Sequence, residues 1–204
     1  GDVYKRQIVF RPNYRGSTGY HPAISHAPRM EFLKMHEDVT DGVRALIAAK
    51  IADPQRIAIF GSSFGGYLSL AGAAFEPDLY RCAISFAGVF DWERVLKDDR
   101  TNDNIYRYEW LRRDLGDPRT DREKFEAISP YRHVDRIKIP IFVAHGEADR
   151  NAETGQSRRL VRALKSAGVP HETLFLSEES HGLAFMKNRV ELYMRIEAFL
   201  KKNL

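Results

Sequence analysis

The stretch Arg56-Ile57-Ala58-Ile59-Phe60-Gly61-Ser62-Ser63-Phe64-Gly65-Gly66 decides how this chain is read. An apolar run of strand length ends in G-x-S-x-G plus one further glycine, and Tyr67–Phe75 then continues as a helical pattern. A serine hydroxyl is a poor nucleophile, so it must be exposed and have a base beside it. A sharp strand-to-helix turn exposes it, and small residues two before and two after the serine let the backbone cross closely. The same turn aims the helix start at a reacting carbonyl, which makes the Phe64 N–H an oxyanion donor. The plain alternative is a Gly/Ser-rich turn that only links strand to helix; the flanking strand and helix patterns weigh against it. Ser63 is the candidate nucleophile.

Outward from this turn, strand-like runs alternate with helical ones. Strands are expected near Ile8–Pro12, Ile57–Phe60, Cys82–Phe86, Ile141–Ala144 and Glu172–Leu176, all apolar throughout, as suits a parallel sheet covered on both faces. Helices are expected at Glu37–Lys50, Phe64–Phe75, Ala152–Ala167 and Asn188–Lys202. The pattern is doubly wound α/β. Residues 91–130 break the rhythm: they are polar, aromatic-rich and read as an insertion above the C-terminal edge of the sheet. Phe90, Trp92, Tyr106 and Trp110 are candidates for an apolar substrate pocket there; the alternative is that they pack the insertion onto the body.

A serine nucleophile also needs a histidine base and a carboxylate that holds its tautomer, in the chain order Ser, Asp/Glu, His for such a sheet. Ile141–Ala144 runs into a turn with Asp149, and Glu172–Leu176 into a loop with His181. Ser63, Asp149 and His181 would then all lie at C-terminal strand ends, where ligands collect. Glu147 competes with Asp149 as the orienting acid. His145 lies too near its strand end to reach Ser63 and is read as a brace for the Asp149 turn. His21, His26, His36, His133 and His171 follow no strand end and default to surface or structural roles.

Composition narrows the function classes. At 204 residues the chain fits one domain. Its 32 cationic and 28 anionic residues are interleaved, which reads as solvated helix faces rather than a nucleic-acid surface. No apolar stretch approaches the ~20 residues that span a bilayer, and the first residues lack the apolar core of a signal peptide. The cytoplasm is the favoured compartment. The single cysteine, Cys82, excludes an intrachain disulfide and reads as a small core residue. No Cys/His spacing suggests a metal, and the chemistry needs no cofactor.

With these segments in view, the chain resembles the catalytic domain of the prolyl oligopeptidase family of serine peptidases, closest to its acylaminoacyl-peptidase-like branch. Pro12-Asn13-Tyr14-Arg15-Gly16-Ser17-Thr18-Gly19-Tyr20 matches the family's Asn-x-Arg-Gly-Ser-x-Gly-Tyr element. Gly61–Tyr67 matches its nucleophile elbow, His145-Gly146-Glu147-Ala148-Asp149 its acid loop, and Ser180-His181-Gly182 its histidine loop. The likeness runs from about Ile8 to the C-terminus. It implies an α/β-hydrolase fold, a Ser63–His181–Asp149 triad, the Phe64 N–H as one oxyanion donor, and hydrolysis of short or N-acylated peptides through an acyl-enzyme. A carboxylesterase with the same triad and a catalytically silent binding domain are the competing readings.

Four departures mark this chain. The β-propeller usual ahead of the domain is not in the sequence, nor is the upstream segment that supplies a second oxyanion donor. Ala152-Glu153 stands where relatives often have Val-Pro after the acid. Arg94 and Val95 follow Trp92-Glu93 where proline-specific relatives carry tyrosines, which argues against proline specificity. Residues 1–7 do not continue the adjoining apolar pattern and read as a junction segment, leaving 8–204 as a partial, N-terminally truncated domain. In the family's strand order 1-2-4-3-5-6-7-8, Ile8–Pro12 would be the fourth strand, deprived of the third. It would either pair with Ile57–Phe60 or stand apart, giving an unstable or aggregation-prone fragment of low activity.

Overall fold

Four apolar runs, each followed by a helix, become four parallel strands in the computed structural model, which describes residues 7–19, 22–25, 30–101 and 104–204. In chain order the elements are α1 (Pro22–Ser25), α2 (Phe32–Ala48), β1 (Ala58–Ser62), α3 (Phe64–Phe75), β2 (Cys82–Phe86), α4 (Trp92–Thr101), α5 (Ile105–Leu115), α6 (Arg122–Ile128), a 3-10 helix over Pro130–Arg136, β3 (Ile141–Gly146), α7 (Thr154–Ser166), β4 (His171–Leu176) and α8 (Met186–Asn203). They fall into two units, residues 1–54 and 55–204.

The sheet lies wholly in the second unit, in the order β1-β2-β3-β4, all parallel. Register and the period of two sort its residues by face. Cys82, Ile84 and Phe86 of β2, Phe142 and Ala144 of β3, and Leu174 and Leu176 of β4 pack on Leu192, Ile196 and Phe199 of α8. Burying each such Leu, Ile or Phe is worth about 1.5–3 kcal/mol. The alternate residues face α3 and α7. Ser85 Oγ donates to the Gly66 carbonyl of α3 at 3.0 Å, and His145 meets Ser157 of α7 at 2.6 Å. β2 and β3 are buried along their whole length, which explains their unbroken apolar runs.

In the first unit, α2 buries Phe32, Met35, Val39 and Val43 on one stripe, with His36 and Thr40 beside them. Arg15 of the Asn-x-Arg-Gly stretch donates from Nε to Asp38 Oδ2 at 2.8 Å and from Nη2 to Oδ1 at 2.6 Å. Hydrogen bonds from this guanidinium hold the Asp38 carboxyl below its ordinary range.

One expected strand does not form. Ile8–Pro12 is outside the sheet, and Ile8 and Val9 are 62% and 60% exposed. An apolar run becomes a strand only where another strand takes its N–H and C=O groups, and among the described residues no strand pairs with Ile8–Pro12. The Phe10 ring instead lies against Gly42 of α2, where a Cβ would come within 2.7 Å of it. Elsewhere the boundaries shift by a few residues: the helix expected at Glu37–Lys50 begins at Phe32, and that expected at Ala152–Ala167 begins at Thr154. Tyr20, His21, His26 and residues 1–6 lie outside the described residues.

Candidate active site

Ser63 sits at the end of β1 with φ 56° and ψ −119°, a conformation that L-residues avoid. The turn is sharp because the backbone crosses itself: a Cβ on Gly61 would stand 2.2 Å from the Gly65 carbonyl carbon and oxygen. A Cβ on Gly66 would meet Ser85 Oγ at 2.6 Å and Gly88 Cα at 2.9 Å. Gly65 itself has nothing within 4 Å of its Cβ position. The steric demand therefore falls on Gly61 and Gly66. The Ser63 N–H continues the ladder to the Phe86 carbonyl at 2.9 Å. Phe64 opens α3, so its N–H belongs to the first turn of that helix, directly after Ser63.

Asp149 lies three residues past β3 and His181 five past β4. Their loops touch backbone to backbone: the Ala148 N–H donates to the Glu179 carbonyl at 2.9 Å, and a Cβ on Gly146 would meet that oxygen at 2.3 Å. The buried Glu179 carboxylate takes the Ala184 N–H at 2.7 Å and Asn188 Nδ2 at 3.0 Å, tying the histidine loop to the start of α8.

This packing brings Ser63, His181 and Asp149 together. His181 Nδ1 is 2.7 Å from Asp149 Oδ2, and Nε2 is 2.8 Å from Ser63 Oγ. An ionised carboxylate only accepts, so Nδ1 carries the proton and Nε2 accepts from the Ser63 hydroxyl. Asp149 Oδ1 accepts the Asn151 and Ala152 N–H groups at 2.8 and 3.0 Å. Burial pushes the Asp149 carboxyl up, but hydrogen bonds from His145, His181, Ala152 and Asn151 outweigh it and hold it at about 2.

His145 is fully buried below the acid. Its Nε2 faces two acceptors, Asp149 Oδ2 at 3.1 Å and the Ala152 carbonyl at 2.8 Å, so that nitrogen carries the proton and Nδ1 accepts from Ser157 Oγ. Glu147 points elsewhere, to an ion pair with Arg158. Of the other histidines, His36 is buried on α2, His133 bonds the Glu126 carbonyl and His171 the Val169 carbonyl.

A pocket of about 180 Å³ lies between the acid loop and residues 89–111. Trp92, Val95, Trp110 and Leu111 line one side, and Asn151 and Ala152 the other. Trp92 stacks near Phe64 and Tyr67, with ring centroids 6.5 and 5.7 Å away, so this wall adjoins the residue after Ser63. Phe90 and Tyr106 do not line it. Phe90 is fully buried beside Gly88, and Tyr106 is 86% exposed. Position on an amphipathic helix decides this: Leu111 and Leu115 are the buried residues of α5, and Tyr106 lies off their stripe.

Several residues of this region are absent from the sequence reading. The Asn151 N–H was available from an Asx turn on Asp149. Ser157 and Gln156, which accepts the Phe90 and Asp91 N–H groups at 3.3 and 3.2 Å, carry no local signal. Nor does Arg107, which lines the pocket beside the acid loop.

Comparison with known proteins bears on the family and the fold. The prolyl oligopeptidase family profile matches residues 5–204. Dipeptidyl aminopeptidase BIII of Pseudoxanthomonas mexicana is 30% identical over 199 residues, covering 96% of this chain and 29% of the relative. The structure of a Mycobacterium tuberculosis puromycin-hydrolyzing peptidase superposes with a TM-score of 0.83 at 30% identity, over 94% of this chain and 29% of that one. Pyrococcus horikoshii acylaminoacyl peptidase shares the fold, with a TM-score of 0.81 at 23% identity over 94% of this chain and 31% of its own. The chain thus spans under a third of each of these relatives. Its fold is that of the α/β-hydrolases, and it belongs to the prolyl oligopeptidase family of serine peptidases.

Proposed function

We propose that Ser63, His181 and Asp149 are the catalytic triad of a serine peptidase acting on short or N-acylated peptides. The observation that carries this reading is the unbroken chain of hydrogen bonds from Ser63 Oγ through His181 to Asp149, at 2.8 and 2.7 Å. Ser63 Oγ bonds to the scissile carbonyl carbon while its proton passes to His181 Nε2. The Phe64 N–H faces the developing oxyanion. His181 then gives the proton to the leaving amine as the C–N bond breaks, and water hydrolyses the acyl-enzyme by the same route. Asp149 holds the His181 tautomer throughout. The substrate side chain next to the scissile bond enters the pocket between Trp92, Trp110 and Ala152. Two relatives carry the names dipeptidyl aminopeptidase and puromycin-hydrolyzing peptidase, which supports reading the bond as a peptide bond rather than a simple ester.

A fluorophosphonate probe tests the nucleophile: it should label the wild type and leave Ser63→Ala unlabelled. Hydrolysis of an acyl-amino-acid anilide, compared with a p-nitrophenyl ester, tests the bond. Ester cleavage alone would make the protein a carboxylesterase. An unlabelled wild type would leave the binding-domain reading standing.

A further inference from the structure

Arg107 lies on α5, far in sequence from the site, yet its guanidinium is shared between two places that matter. Nε donates to both oxygens of Asp99, at 2.9 and 2.8 Å, and Nη2 adds a further bond to Oδ1. Asp99 is 2% exposed, and a carboxylate that deeply buried must be paired. Nη1 is left over, and it donates to the Asn151 carbonyl at 2.5 Å. That carbonyl belongs to the same peptide unit as the Ala152 N–H, which donates to Asp149 Oδ1 at 3.0 Å. A trans peptide is planar, with its C=O and N–H pointing in opposite directions. Fixing the carbonyl on the pocket side therefore aims the N–H at the acid.

We propose that Arg107 is a positioning residue for the triad acid: anchored on Asp99, it locks the 151–152 peptide so that the Ala152 N–H holds Asp149 in the orientation His181 needs. The proposal rests on the triad reading above. It goes beyond that reading by tying the pocket-forming helices to the acid. The line from guanidinium through amide to carboxylate also alternates donor and acceptor, so each bond polarises the next. Because Arg107, Asn151 and Ala152 all line the pocket, a substrate side chain seated there removes water from the Arg107–Asn151 bond. Substrates that fill the pocket should feel the loss of Arg107 most.

The test is the Asp99→Leu/Arg107→Met pair, which removes the link without leaving Asp99 buried and alone, beside Arg107→Lys, which keeps Asp99 paired. In the double variant kcat should fall about 10- to 100-fold, the scale of a small misplacement at the reacting groups, with KM little changed. The fall should be larger for an N-acyl-Phe than for an N-acyl-Gly anilide, and Arg107→Lys should lie between. A second readout needs no turnover: carboxyl ¹³C NMR of Asp149 in a Ser63→Ala background, where the titration midpoint should move upward in the double variant. A folded double variant with wild-type kcat and an unmoved Asp149 midpoint overturns the proposal. If the double does not fold, Arg107→Lys with both values at wild type overturns it equally. A wild type without hydrolysis sinks the triad reading instead, and the NMR midpoint then decides the role of Arg107.

Discussion

At the end of β1, Ser63 is held by its own backbone; at the end of β3, Asp149 is held by a polar network that starts in its own loop and reaches beyond it to His181. The elbow needs Gly61 and Gly65 at close approach, Gly66 against Ser85 and a strained φ of 56°. Apart from the end of β2 and its loop (Ser85, Phe86 and Gly88), what shapes the turn lies within six residues. The acid is gripped by His145, His181, the Asn151 and Ala152 N–H groups and, behind them, Ser157 and Arg107. One device is steric and local, the other is a polar network assembled by the fold. Steric devices fail by clash and take the fold with them. Polar networks fail by degrees and leave the fold standing.

The largest expected effect tests the network at its centre. Asp149→Asn keeps an oxygen for the Asn151 and Ala152 N–H groups but turns an NH₂ toward His181 and His145. His181 must then present an unprotonated Nδ1, with its proton on Nε2 facing Ser63, so it can no longer act as base. Turnover should fall by about 10⁴, with folding retained. The pH dependence of stability should change too. The Asp149 carboxyl is depressed from 3.8 to about 2, so its stabilisation is fully present above about pH 4 and lost as pH falls through about 2. Melting temperatures of wild type and variant should therefore converge below pH 4. An Asn variant with near-wild-type turnover would remove Asp149 from the triad.

The same contrast explains what could be read in the sequence. Cys82–Phe86 and Phe64–Phe75 were legible to the residue, because a fully buried strand and a helix opening at a glycine elbow carry their signals in their own side chains. Ser63, Asp149 and His181 stood out through chain order and strand ends. Ile8–Pro12 misled because apolarity measures readiness to be buried, and the partner that makes a strand lies outside the run itself. Trp92 and Trp110 could not be told from Phe90 and Tyr106 by composition, since only the helix phase and the bend at Ala87 sort wall from interior and surface. Arg107 and Ser157 were invisible because their roles exist only once α5 and α7 have packed beside the acid loop.

A smaller effect separates the two devices on the elbow side. Gly61→Ala forces a Cβ to 2.2 Å from the backbone of Gly65, which cannot retreat without undoing the first turn of α3. The cost should reach about 3 kcal/mol, the upper end of ordinary overpacking, seen as a lower urea midpoint with unchanged slope. Gly65→Ala is the control. Its Cβ meets nothing within 4 Å, so stability should stay within about 0.5 kcal/mol. Equal losses at the two glycines would mean that the elbow depends on backbone flexibility rather than on close approach.

The smallest effect lies at the edge of the acid network. Ser157→Ala removes the hydroxyl that donates to His145 Nδ1 at 2.6 Å, both residues being fully buried. A buried acceptor left without its donor costs about 1–3 kcal/mol, and stability should drop by an amount in that range. Turnover should fall only a few-fold, because His145 Nε2 still faces Asp149 and the Ala152 carbonyl, and Asp149 keeps both of its backbone donors. The order of losses is the informative result. A kcat for Ser157→Ala as low as that of Asp149→Asn would make the His145 arm the controlling support of the acid and demote the backbone donors. A variant as stable as wild type would mean that His145 turns to another partner, and that the network below Asp149 is looser than its distances imply.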